Sequence, residues 1–265
     1  MSFLTHEQNG LVWLASPLLP GVRHGFSTRL GGVSPAPWDA LNLGPGRGDA
    51  PKNVRENYRR FFAALGADQG RAVLSGQVHR DDVRLCTAAD AGKGLLRDRD
   101  YEADALITGE KDLPLVVFSA DCGTILLHDP EAGCIGAVHA GWRGCAAGIA
   151  EKAVREMARR LSARPERVRA ALGPCIGPCC FETDGDVPAA MRSALGDAAE
   201  PYLERRGAKW HVDLAGLNRQ WLLRAGVLPE HVDVCGLCTA CRPDLFWSHR
   251  KMGEARGAQV AVIVL

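Results

Sequence analysis

Apolar residues in this chain come mostly in short runs bounded by turn residues. Leu113 to Ser119 is almost continuous, and Cys134 to Val138, Val168 to Leu172 and Val260 to Val264 are similar. Runs of this length predict strands, and the unbroken ones predict strands covered on both faces. Asp104 to Thr108 and the alternating Val232 to Leu237 read the same way. Thr124 to Leu127 should pair with Cys134 to Val138 around the turn at Asp129-Pro130-Glu131-Ala132-Gly133. Residues 11 to 29 alternate, with an early strand at Val22 to Ser27, whereas Leu74 to His79 is interrupted by Gly76.

Helical spacing is seen in fewer places. One helix should start at Pro51 behind an Asp49 cap and end at Gly66, with Val54, Tyr58, Phe61, Phe62 and Leu65 on one face. A second is predicted from about Cys145 to Leu161, and shorter ones over Val187 to Leu195 and Ala215 to Ala225. Strands and helices alternate irregularly, and no repeat or linker divides residues 1–265. The expectation is one mixed α/β domain with central mixed sheets flanked by helices. The stretch from Gly31 to Gly48 is rich in Gly and Pro and long for a plain connector, which marks it as an ordered loop of functional interest.

Charge narrows the partners. Lys and Arg total 32 against 31 Asp and Glu, a net +1, so neither nucleic acid nor a membrane surface is expected as partner. Met1-Ser2-Phe3-Leu4-Thr5-His6-Glu7 lacks the cationic start and apolar run of a secretory leader, and the expectation is a soluble, cytoplasmic protein. The ten cysteines are then expected as reduced thiols. They bunch at Cys175, Cys179, Cys180 and at Cys235, Cys238, Cys241. The second bunch has C-x-x-C-x-x-C spacing, but Cys235 falls in a predicted strand, so free thiols are the expectation there.

The chemistry gathers around Gly136 to Gly148. A short strand empties into His139, then a glycine turn with Trp142 and Arg143, then a helix start. His79 and Cys122 lie at or near predicted strand ends. Two imidazoles and one thiol form a zinc-compatible set with one position open, although their sequence separation does not by itself bring them together. The chain has no G-x-x-x-x-G-K-[ST] loop, no H-E-x-x-H pair, and no His-x-His pairs of the kind a multicopper centre needs.

A resemblance joins these residues. Phe26 to Ser34, Leu41-Asn42-Leu43-Gly44, Gln77-Val78-His79, Ala103 to Thr108, Ala120-Asp121-Cys122, His139-Ala140-Gly141-Trp142-Arg143-Gly144, Gly173-Pro174, Cys238-Thr239 and Ser248-His249-Arg250 occur in this order. Together they resemble the bacterial laccase-domain family, also described as purine nucleoside phosphorylases or polyphenol oxidases. The resemblance implies zinc held by His79, Cys122 and His139, with copper as a substitute. It also implies phosphorolysis of adenosine, inosine and methylthioadenosine, with adenosine deamination beside it. Arg143 and Arg250 would then hold phosphate, Trp142 would stack on the purine, and Asn42, Gln77 and Ser248 would touch sugar or phosphate. Asp121 has two readings, a proton donor or a carboxylate bonded to backbone.

Three alternatives stand beside that reading: a copper-dependent polyphenol oxidase, an editing enzyme for peptidoglycan precursors, and a non-catalytic protein stabilised by a four-ligand zinc. The chain departs from the family pattern at Gly123-Thr124, where a proline is usual two residues after the cysteine. It departs again at Lys251, which replaces an arginine and loses a bidentate donor.

Overall fold

The computed structural model describes residues 3–265. Two six-stranded sheets form its centre. The first runs Leu4–Gln8, Leu11–Ala15, Arg23–Ser27, Gln259–Val264, Leu115–Ser119, Val73–Leu74. The second runs Val232–Val234, Arg169–Leu172, Gly123–Asp129, Cys134–Ala140, Ala105–Thr108, Val83–Leu85. Both mix parallel and antiparallel pairs. A small third sheet joins Glu182–Thr183, Lys209–Val212 and Leu203–Arg206.

The unbroken apolar runs follow from layering. Along Leu115–Ser119, Leu115 and Val117 face a core shared by the two sheets, while Val116 faces a second core under the helix Pro51–Ala64. In Gly123–Asp129, Leu126 enters the shared core; Ile125 and Leu127 enter a third core beneath the helices Ile149–Leu161 and Leu214–Arg224. Because side chains alternate along a strand, each of these strands must be apolar on both faces. The order is therefore helix, sheet, sheet, helix.

Several boundaries differ from expectation. The helix predicted from Cys145 begins earlier, at Trp142, and breaks into Trp142–Ala146 and Ile149–Leu161. Gly148 causes the break, with φ of 76° in the left-handed region. Asp49 does not cap its helix. Ala50 takes that position, and the Asp49 carboxylate accepts from Ser34, Asn42 and Asn53. The strand expected over Leu74 to His79 shrinks to Val73–Leu74, with His79 in the following loop at φ 61°. Among the described residues no helix is long and apolar enough to cross a membrane.

Candidate metal centre

Two crossings from the first sheet to the second run past each other. One leads from Val73–Leu74 to Val83–Leu85 and carries His79; the other joins Leu115–Ser119 to Gly123–Asp129 and carries Cys122. His139 is the penultimate residue of Cys134–Ala140, paired with Thr124. The ligand atoms of His79, Cys122 and His139 all lie within 4.8 Å of one another. The Cys122 Sγ is 3.9 Å from His79 Nε2, and the two imidazoles meet edge to face with centroids 4.9 Å apart. Gly141 leaves the necessary room, since a Cβ there would sit 3.0 Å from Cys122 Sγ and 3.2 Å from His79 Cδ2.

Asp104 organises this arrangement. It directly precedes the strand Ala105–Thr108, which pairs with Cys134–Ala140 and so brings Asp104 beside His139. The backbone N–H groups of Val78, His79 and Arg80 donate to its carboxylate at 3.0 Å, and His139 Nδ1 approaches it at 2.7 Å. Asp104 is fully buried. Burial pushes its pKa up, but the His139 contact and the backbone donors outweigh that and leave it below its ordinary value. An ionised Asp104 accepts a hydrogen bond from the Nδ1–H of His139 and turns Nε2 toward the metal set, the usual outer support of a metal-binding imidazole. Burial would also raise the Cys122 thiol, yet the adjoining imidazoles bring it below its usual range. The donor chemistry therefore fits a borderline-soft ion such as zinc. Among the described residues, no fourth His, Cys, Asp or Glu belongs to the set.

A cavity of about 400 Å³ adjoins the three donors. Phe118, Ile176, Phe181 and Leu214 supply its apolar wall, and Gln77 and Trp142 also line it. The Gln77 amide is already engaged, with Ser75 and the Phe118 backbone. Trp142 has the Arg143 guanidinium over its ring at 4.3 Å. Arg250 reaches the cavity while donating to the carbonyls of Cys180 and Glu182. Asp121 is buried with both oxygens occupied, one by the Thr239 hydroxyl and one by the Arg250 N–H. That supports the backbone-bonded reading rather than the proton donor.

Three expected contacts lie outside the cavity wall. Asn42 is fully buried and holds Gly44, Asp49 and Ala258 together. Ser248 is also fully buried and accepts from the Lys251 N–H as a helix cap. Arg143 is exposed and packs on Trp142, outside the cavity wall.

Sequence reasoning missed Arg47 and Arg256, both in the cavity wall. Arg256 is buried, bonded to the Gly257 carbonyl and close to His249. Burial first, and then Arg47, bring its pKa down to about 10. Two guanidiniums therefore line one cavity.

The family described as multi-copper polyphenol oxidoreductase laccase matches residues 23–265. The chain belongs to this family. A laccase-domain relative from Deinococcus radiodurans, named purine nucleoside phosphorylase, is 42% identical over 257 residues, covering 97% of this chain and 94% of the relative. Another from Geobacillus stearothermophilus, named purine nucleoside phosphorylase YlmD, is 35% identical over 263 residues, covering 97% and 95%. The solved structure of YlmD from Geobacillus stearothermophilus superposes with a TM-score of 0.92 at 34% identity, covering 98% of this chain and 97% of that one.

Proposed function

We propose that this laccase-domain protein is a zinc-dependent purine nucleoside phosphorylase acting in the cytoplasm on adenosine, inosine and methylthioadenosine. The observation that carries the reading is the guanidinium pair Arg47 and Arg256 in the wall of the cavity that also holds His79, Cys122 and His139. Two guanidiniums in one cavity wall favour an anion, even with Asp121 and Glu254 also lining it, and arginine suits phosphate because it donates in a planar fork. His79, Cys122 and His139 would hold the zinc, which would supply Lewis acidity beside the substrate.

The apolar residues Phe118, Ile176 and Phe181 give the purine a dry wall, and Trp142 offers it an indole edge or free face. Phosphate lying against Arg47 and Arg256 is positioned to bond to the anomeric carbon as the bond to the purine nitrogen breaks. The electron pair of that bond leaves with the base, which takes up a proton. Adenosine deamination is a second reaction of the same cavity.

The test is product identification from inosine and adenosine with and without phosphate. Release of free base should require phosphate and yield ribose 1-phosphate. Arg256→Ala should raise the KM for phosphate at least tenfold while leaving the bound metal in place. Equal base release without phosphate overturns the reading. The His₂Cys donor set favours copper as a second reading, because copper(II) generally outcompetes zinc for such ligands. Stoichiometric copper in protein produced without added copper, together with phenol turnover, would select the oxidase instead.

A further inference from the structure

A second group of soft donors stands outside the cavity. Cys179 and Cys180 lie in the turn that follows Gly177-Pro178, and Cys238 and Cys241 form a C-x-x-C step just before Arg242. Their four sulfurs all lie within 4.8 Å of one another. Cys241 Sγ is 3.5 Å from that of Cys179 and 3.4 Å from that of Cys180. Cys235, which completes the C-x-x-C-x-x-C pattern in sequence, is not in this group. All ten cysteines are free thiols.

The backbone around the group is ordered. Cys175 and Cys238 form an isolated parallel bridge, and the Thr239 N–H donates to the Cys175 carbonyl at 3.1 Å. The N–H groups of Cys180 and Phe181 both donate to the Gly177 carbonyl, which closes the first turn. The Arg242 N–H donates to the Cys238 carbonyl and closes the second. The Gly177 N–H points at Cys238 Sγ from 3.2 Å, a contact that supports a thiolate.

Size decides what the group can hold. Four sulfurs about 2.3 Å from a central zinc form a tetrahedron with edges of about 3.8 Å. Separations of 3.4 and 3.5 Å, with all four sulfurs within 4.8 Å of one another, are compatible with that size, whereas a polynuclear iron–sulfur cluster spreads its ligand sulfurs further apart. A disulfide suits the arrangement less well. Cys241 is nearly equidistant from two neighbouring cysteines, and pairing with either leaves the other and Cys238 without a role.

We propose that Cys179, Cys180, Cys238 and Cys241 bind one zinc ion in a closed four-thiolate site, separate from the His79, Cys122, His139 centre. Four protein ligands leave no position for a guest, so the role is structural. The ion ties the segment bearing Ile176 and Phe181, part of the cavity wall, to the segment that leads to Arg250. Binding transfers the four thiol protons to solvent and involves no change of oxidation state.

The test uses the full chain purified under reducing conditions and reads metal, not turnover. Wild-type protein should contain two zinc ions per chain, and Cys122→Ala should retain one. Cobalt loaded into Cys122→Ala should show the intense near-ultraviolet thiolate-to-metal charge transfer of a four-sulfur site. Adding Cys238→Ser and Cys241→Ser should abolish that band, while adding Cys235→Ser should leave it. Should the cysteine variants fail to fold, thiol blocking of the wild-type chain with a mercurial reagent gives the same answer, with two zinc ions expected to be released. One zinc per chain in the wild type that is lost in Cys122→Ala overturns the proposal. So does a Cys122→Ala protein that takes up no cobalt while its thiols react as free groups, or a native disulfide at Cys241.

Discussion

Gly141 shows how much one missing side chain can decide. Its φ of −64° is ordinary for alanine, so the backbone does not require glycine there. The donors do, because a Cβ would press on Cys122 Sγ and His79 Cδ2. Gly141→Ala should therefore fold with little change in metal-free stability yet lose metal affinity by at least tenfold. Chelator competition beside a thermal unfolding curve separates these effects, and unaltered affinity would show that the crowding is relieved elsewhere. Single residues were also where sequence reasoning was weakest. His79, Cys122 and His139 were joined by family resemblance, since their separation along the chain carries no sign of convergence. Asn42 and Ser248 have side chains suited to a sugar contact, but both are buried and bonded within the fold. Arg47 and Arg256 lie in glycine-rich loops with no periodicity to indicate which way they face.

At the scale of elements, the pattern was more informative. Apolar runs predicted the central strands because a strand covered on both faces has no polar position to interrupt it. The sheet formed by Glu182–Thr183, Leu203–Arg206 and Lys209–Val212 gave no such signal, being short and largely exposed. The loop Val78–Arg80 is likewise unreadable from its own residues, because what fixes it is the carboxylate of Asp104. Asp104→Asn keeps the shape but puts an NH₂ where N–H groups already point. A stranded buried donor costs about 1–3 kcal/mol. Loss of the support behind His139 should lower metal affinity by about 10–100-fold. Denaturant unfolding and zinc competition measure the two losses. An unchanged metal affinity would mean that His139 needs no partner on Nδ1.

Two histidines away from the site shape the behaviour of the whole molecule toward acid. Burial holds the His24 imidazole below its ordinary pKa, and burial with the nearby Arg169 brings His128 down to about 4. The unfolded chain takes up these protons near pH 6.5, while the native state resists them until lower pH. Stability should therefore be full above about pH 6.5 and decline toward pH 4, each group adding a slope of up to about 1.4 kcal/mol per pH unit. Denaturant midpoints at pH 7 and pH 5 test this, with His128→Leu flattening the decline. The comparison cancels any metal loss common to both proteins, and an identical slope in the variant would remove His128 from the account.

The two crossings that carry His79 and Cys122 pass from one sheet to the other side by side, with His139 waiting on the far sheet. An ion gripped by all three would work as a rivet driven through a seam. Stripping it out should slacken the stitching before it disturbs the cloth: amide exchange quickens over residues 76–82 and 120–123 while the central strands keep their slow protons. An ion bound there would thus also keep two halves of the molecule in register.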